Sequence, residues 1–318
     1  MFSAKKGSLQ ILSFVTMDFQ KETLMKSDYT GIANINGQIT DLNEAKVSLS
    51  DRGFLFGHSI FETLLIKNGN IISWNYHFDR MKFSCQEAFI QIPNENLLFE
   101  WASEAVKENI KKSGVINEKA QLRIIITGGN SFDLIIKKEN ELLPKSNIII
   151  ICRNVSGPTT DNYANGISLK SIPDLRSPAL IEIKSCSYLY NLISIEKARL
   201  AGFNDALFYN SNNIITESTT SNFIWFNEDL IVRSIAFNGS CLAGVTLSRL
   251  ISGLKKMKIS FDWSELNRTN ISSVKGCGII SSIRGILPIN QIDDNHFDIQ
   301  SYKYFFDKLN LALQSEES

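Results

Sequence analysis

The sequence is poor in the residues that build metal centres and disulfide frameworks. Its five cysteines, Cys85, Cys152, Cys186, Cys241 and Cys277, are odd in number, widely spaced and form no Cys-x-x-Cys pair. That excludes a stapled scaffold and a thiolate zinc site, and free thiols point to a reduced, cytoplasmic compartment. Three histidines, His58, His77 and His296, are too few for a histidine-rich metal centre, so no metal is expected. There is no excess of either charge: Lys+Arg and Asp+Glu are 33 each. Neither a nucleic-acid partner nor an anionic membrane surface is indicated. The basic pairs Lys5-Lys6, Lys111-Lys112 and Lys255-Lys256 read as solvated faces. No apolar run reaches the ~18 residues that span a bilayer. Residues 1–28 place two lysines before a short apolar stretch, but Asp18 and Gln20 interrupt it too early for a signal peptide, leaving an N-terminal extension of unassigned role. Repeats and low-complexity tracts are also lacking.

What is present is apolar content: 43% of 318 residues, enough for one large core or two smaller ones. Phe61, Leu64 and Ile66 run up to the turn Lys67-Asn68-Gly69-Asn70, and Ile71-Ile72 leads away; Asn-Gly between apolar runs is a hairpin signal. Phe78, Met81 and Ala88 share a face at helical spacing from about Tyr76, and a second helix is expected near Glu100–Lys112. Strands follow at Leu122–Thr127 and Asn147–Arg153. The Gly-, Pro- and turn-rich stretch Val155–Gly166 reads as a linker. Beyond it come a strand (ISLKSI), a helix over Tyr188–Leu200 stopped near Gly202, and short strands in DALFY, NIIT, SNFIWF and DLIVR. An amphipathic helix then carries the stripe Leu247, Leu250, Ile251, Leu254 and Met257. A strand–turn–strand in GCGIISSIRGILPINQI and a C-terminal helix in FFDKLNLAL complete the pattern. Strands outnumber helices without strict βαβ alternation, so the expected class is α+β. The expected division is an extension (1–28), a small α+β domain (29–154), a linker (155–165) and a larger α+β domain (166–318).

Several segments carry chemistry. Lys184 follows an alternating apolar segment and precedes a helix; at such a strand-to-helix transition a lysine can point into a cleft, where desolvation lowers its pKa enough for Schiff-base formation. An ordinary surface lysine fits the same pattern. Glu217 opens a run of small polar residues between two strands and can hold a pyridine nitrogen protonated, or simply begin a polar turn. Gly244, Val245 and Thr246 open the amphipathic helix with a threonine at the cap position, and such a start cradles phosphate. Arg80, in His77-Phe78-Asp79-Arg80, sits on a helix flank from which it can make a bidentate phosphate contact or a surface salt bridge. Ser281 and Ser282, ahead of Arg284, add hydroxyls.

The ordered runs LSDRGFLFGHSIFETLL, HFDRM, IKSCSYLYN, ITESTTSNFIWF, LAGVTLSRL and SSIRGILPI together resemble the class-IV aminotransferases from about Asp28 to Phe297. That group includes branched-chain and D-amino acid aminotransferases and 4-amino-4-deoxychorismate lyases. The resemblance implies pyridoxal 5'-phosphate (PLP) as cofactor, with Lys184 as the Schiff-base lysine and proton carrier. It further implies that Glu217 partners the pyridine nitrogen, that Arg80, Val245, Thr246, Ser281 and Ser282 surround the phosphate, and that Tyr188 lies near the ring hydroxyl. Two α+β domains with PLP between them, in a homodimer, are the fold it implies.

The substrate is less defined. Branched-chain enzymes have glycine where Thr63 stands, and D-amino acid aminotransferases have tyrosine where Phe61 stands. The arginine and histidine that hold the substrate carboxylate in the latter are absent from Ile126-Thr127-Gly128-Gly129-Asn130. Arg284 is a possible substitute. The triplet Phe61-Glu62-Thr63 lies closer to aminodeoxychorismate lyases and to a plant-type D-aminotransferase set. His58, in place of the family's usual aspartate, bears either on substrate choice or only on structure. The expected function is transamination between a small amino acid and a 2-oxo acid. The alternatives are the lyase, which releases pyruvate and 4-aminobenzoate from aminodeoxychorismate, and a non-catalytic PLP-binding or scaffolding relative.

Overall fold

The structure, a computed structural model, describes residues 30–114, 119–134 and 143–316; the N-terminal extension lies outside the described residues. The first sheet contains β1 (Ile32–Ile35), β2 (Gln38–Asp41), β3 (Ser59–Lys67), β4 (Asn70–Ile71), β5 (Ala120–Thr127) and β6 (Ile148–Asn154). They lie in the order β2-β1-β6-β5-β3-β4, antiparallel throughout. In β5, Leu122, Ile124 and Ile126 are buried while Gln121, Arg123 and Ile125 are half-buried, so alternate residues face opposite sides. The buried face packs with Leu64, Phe78, Met81, Leu98 and Ala102 under helices α2 (Trp74–Glu87) and α3 (Glu95–Ser113). A short α1 (Arg52–Phe56) precedes β3. The expected hairpin turn is present, with Asn68 and Gly69 both at positive φ. Helix α3 starts five residues before the expected Glu100, because the Asn94 side chain caps it by accepting the Leu97 N–H.

The second half contains α4 (Thr160–Asn165), β7 (Ile167–Pro173), α5 (Pro178–Ile181), α6 (Leu189–Leu200), β8 (Asp205–Tyr209), β9 (Ile215–Ser218), β10 (Asn222–Phe226), β11 (Val232–Ser234), α7 (Val245–Lys256), β12 (Phe261–Trp263), β13 (Gly276–Ser281), β14 (Gly285–Ile292), β15 (Asn295–His296) and α8 (Lys303–Gln314). The sheet runs β12-β11-β10-β13-β14-β7-β8-β9, and a further pairing of β9 with β10 at Glu217 and Asn222 closes six of its strands into a ring. Parallel β14–β7 and β7–β8 pairs stand among antiparallel ones, so the mixed architecture is α+β.

The expected linker, residues 155–165, holds α4, started by a reciprocal Thr159–Asn162 capping box. Two local expectations are corrected. The segment before Lys184 is not a strand but the helical turn α5, with Pro178 in its first turn. The stripe on α7 ends at Leu254, since Met257 follows the helix and is exposed. No helix among the described residues is long and apolar enough to cross a membrane, and no metal-holding cluster occurs among them.

Leu247, Leu250 and Leu254 of α7 pack on Phe305, Phe306 and Leu309 of α8. Gly253 permits the approach: a Cβ there would stand 1.9 Å from the Ala312 carbonyl oxygen. Gly→Ala inside a helix ordinarily gains up to ~1 kcal/mol, but overpacking against fixed backbone costs about 1–3 kcal/mol. Gly253→Ala is therefore expected to lower stability in urea denaturation, against the helix-propensity trend.

Candidate active site

β3 organises the site. At its start Ile60 bridges to Ser185; the Phe61 N–H donates to the Lys184 carbonyl at 2.8 Å, and the Cys186 N–H to the Ser59 carbonyl at 2.9 Å. This stitch carries Lys184 from the second half onto the first sheet. Period-two alternation then separates the side chains of β3: Phe61 and Thr63 line a cavity of about 850 Å³, while Glu62 points to the other face, toward α2.

Glu62 is fully buried. Its carboxylate accepts from Arg80 Nε at 2.7 Å and Nη2 at 2.8 Å, and from His77 Nδ1 at 2.7 Å. Burial alone would raise its pKa, but Arg80 and His77 overcome this and hold it well below the usual carboxylate range. Burial keeps His77 below its ordinary value against the pull of Glu62. Arg80 spends its third contact on the Ala243 carbonyl, Nη1 to O 2.7 Å. Its bidentate edge, expected to face phosphate, is thus taken by Glu62. It still lines the cavity, where it offers remaining N–H bonds and its charge.

Lys184 is partly exposed, and what it is exposed to is this cavity. Its ammonium lies 4.6 Å from the centroid of the Phe61 ring. Desolvation, then repulsion from Arg80, lowers its pKa to about 8, against the attraction of Glu62 and Glu217. Glu217 is buried; its oxygens accept from Arg176 Nη2 at 3.0 Å and from the Leu242 N–H at 3.2 Å. Burial pushes its pKa up, and Arg176 opposes that. The Tyr188 hydroxyl donates to the Thr219 carbonyl at 3.0 Å, and burial raises it to about 12.

At the other end, the cap position of α7 is Gly244, not Thr246, and no side chain caps the helix. A Cβ on Gly244 would stand 1.8 Å from Asn222 Oδ1, so a larger residue at 244 would displace the Asn222 side chain. Val245, Thr246, Ser281 and Ser282 all line the cavity, with Thr246 Oγ1 and Ser282 Oγ 3.2 Å apart. Arg284 lines it too, while His58 does not: its ring accepts from Arg52 Nε at 3.2 Å and its other nitrogen lies 2.7 Å from the Ala88 carbonyl. Sequence reasoning passed over Glu62, Arg123, Arg176 and Asp205. Two of them had a signal: an acid amid the apolar residues of FETLLI requires a buried partner, and Arg123 falls on the alternation step of β5 opposite the core.

Residues 59–292 match the amino-transferase class IV family. The chain belongs to the class-IV aminotransferases. A putative branched-chain-amino-acid aminotransferase of Methanocaldococcus jannaschii is 25% identical over 264 residues, covering 81% of this chain and 87% of that one. A D-alanine aminotransferase of Staphylococcus haemolyticus is 27% identical over 216 residues, covering 67% and 71%. Among solved structures, a putative 4-amino-4-deoxychorismate lyase of Legionella pneumophila superposes with a TM-score of 0.73 at 25% identity, covering 86% of this chain and 96% of that one. This chain is an enzyme of that family, with its fold and its PLP dependence. The site suits the cofactor on its own evidence: an amine of lowered pKa, a buried carboxylate and an uncapped helix start share one cavity.

Removing one partner from a buried ion cluster costs about 3–5 kcal/mol. Glu62→Gln is therefore expected to lose roughly 3 kcal/mol in urea at pH 7 and to weaken PLP uptake, since Arg80 is no longer oriented. A depressed folded-state pKa gives stability that is complete above the unfolded value of ~4.3 and lost as pH falls toward the folded one. The wild-type margin over the variant should hold down to about pH 4 and shrink below it.

Proposed function

We propose that this class-IV enzyme is an aminotransferase that moves an amino group between a small amino acid and a 2-oxo acid, with Lys184 joined to PLP as a Schiff base. The observation that carries the reading is the Lys184 amine, held near neutrality in a cavity that also contains Glu217 and the α7 start. PLP, when bound, supplies the electron sink. The residues do the rest. Lys184, as free base, takes a proton from the substrate carbon and returns it. Glu217, with one lone pair of each oxygen already used, keeps a protonated ring nitrogen favourable. The Val245 and Thr246 N–H groups and the Thr246 and Ser282 hydroxyls hold the phosphate, with Arg80 adding charge behind them. Tyr188, its proton committed to Thr219, offers lone pairs to the ring hydroxyl. Phe61 and Thr63 form the wall on which the substrate lies, and Arg123, its guanidinium 4.1 Å from the Phe61 ring centroid, is placed for the substrate carboxylate.

The lyase reading keeps one supporting observation, Thr63 on the cavity wall. Assays of D- and L-amino donors with pyruvate or 2-oxoglutarate, run beside 4-aminobenzoate release from aminodeoxychorismate, separate the two; release alone would overturn transamination. We further read the 29–154 and 166–318 halves as domains of a homodimer subunit, supported by exposed Phe54, Leu55, Leu189 and Leu192. Sedimentation tests this.

Lys184→Ala is expected to abolish the visible absorbance of lysine-bound PLP and to lower turnover by at least about 10²-fold. The depressed amine also predicts a stability effect. Between pH 8 and 10.5 the unfolded chain binds more protons at this lysine than the folded one, so folding gains as pH rises through that window. PLP-free Lys184→Met should therefore be more stable than wild type at pH 7, by on the order of 2–3 kcal/mol. The difference should close by about pH 10.5 in urea titrations.

A further inference from the structure

The cationic residues of the cavity wall differ in how much of their hydrogen-bonding edge is already used. The bidentate edge of Arg80, Nε and Nη2, is taken by Glu62, and that of Arg176 by Asp174. That of Arg284 is not. Its Nη1 donates to Thr220 Oγ1 at 2.9 Å and lies 3.5 Å from Asp205 Oδ2. Among the described residues, its Nε and Nη2 make no hydrogen bond. That edge is a planar fork, the shape that matches a carboxylate bidentately.

The arginine is also held. It sits in the tight turn that pairs Ser281 with Gly285, and its carbonyl accepts from the Tyr163 hydroxyl of α4 at 2.6 Å. Two residues earlier, the same turn presents Ser282 to Thr246 of the α7 start. Behind the guanidinium, Asp205 is 3% exposed. Its Oδ1 accepts from Thr219 Oγ1 and from the Ala206 N–H. Its Oδ2 is buried without a hydrogen bond and faces only the charge of Arg284. A buried carboxylate oxygen left unpaired is costly, and the nearby guanidinium is what offsets it. Asp205 thus anchors one end of the fork of a residue that lines the cavity. Arg123 projects from β5 of the opposite sheet into the same space.

We propose that Arg284 is a specificity-determining residue that reads a second carboxylate on the substrate, so that the site prefers dicarboxylic amino and 2-oxo acids over monocarboxylic ones of equal length. This rests on the reading of the cavity as the Lys184–PLP site. Unreactive ligands test it apart from turnover. Glutarate and pentanoate share a five-carbon chain and differ in one terminal carboxylate. Titrated calorimetrically into the PLP-loaded protein, glutarate should bind at least about tenfold more tightly. Arg284→Gln should erase that ratio. Arg284→Lys, which keeps the charge without the fork, should restore part of it. An unaltered ratio in Arg284→Gln, or no preference in wild type, overturns the inference. The visible absorbance of lysine-bound PLP, recorded on each protein, shows that the site is formed; its absence in wild type would instead overturn the Lys184 assignment.

Discussion

One antiparallel bridge, Ile60 to Ser185, sets the position of nearly everything else. The lysine comes from the second half of the chain and its neighbours in the site from both halves. Short helices and loops hold a side chain loosely; a backbone pairing to a central strand holds it to within the tolerance of a hydrogen bond. Because β3 is paired along Ser59–Ile66 with β5, which is itself paired with β6, Lys184 inherits the rigidity of a six-stranded sheet. The strand also sorts chemistry by alternation. Its cavity face carries Phe61 and Thr63, and its core face carries Glu62, which fixes Arg80 from behind.

The electrostatics follow from that sorting. Arg80 and Lys184 are both cationic at one cavity, a disfavoured arrangement that relaxes in one of two ways. Arg80 cannot lose its proton, and Glu62 with no exposure to water compensates it locally. Lys184 has no such hydrogen-bonded partner among the described residues; its desolvation, and then the repulsion from Arg80, lower its pKa. A residue stabilised by a fixed counter-charge becomes an anchor, and one left without becomes reactive at neutral pH. Glu217 shows the intermediate case: burial raises its pKa while Arg176 restrains the rise.

How much of this was legible from the sequence depended on range. Local signals were faithful where one residue type dictates the backbone: Asn68-Gly69 made its turn, and the Leu247–Leu250–Leu254 stripe made a packed helix face. Boundaries slipped where a side chain decides them. Asn94 began α3 early, and Gly244 displaced Thr246 from the cap. The ordered motifs brought Lys184, Arg80, Glu217, Thr246 and Ser282 to one cavity. They did not show that Glu62 would take the fork of Arg80, because that pairing spans 18 residues and depends on how α2 lies across β3. His58 was ambiguous for the same reason. Its partners, Arg52 and the Ala88 carbonyl, become neighbours only after folding.

The same reasoning explains why reaction family and substrate separate so cleanly in this chain. The end proposed for the cofactor is built largely from backbone: a helix start, a strand bridge, and a glycine at 244 where a methyl group would displace the Asn222 side chain. Such features tolerate little change in sequence and leave motifs that can be read. The end proposed for the substrate carries side chains on β5 and on the turn before β14. Arg123 occupies a half-buried strand position and Arg284 a turn position, and neither is required by its backbone. Their orientation is set instead by tertiary partners, Phe61 for one and Thr220 with Asp205 for the other. On the proposed reading, the chemistry common to the family is thus held by backbone constraints, while the choice of substrate rests on side-chain contacts.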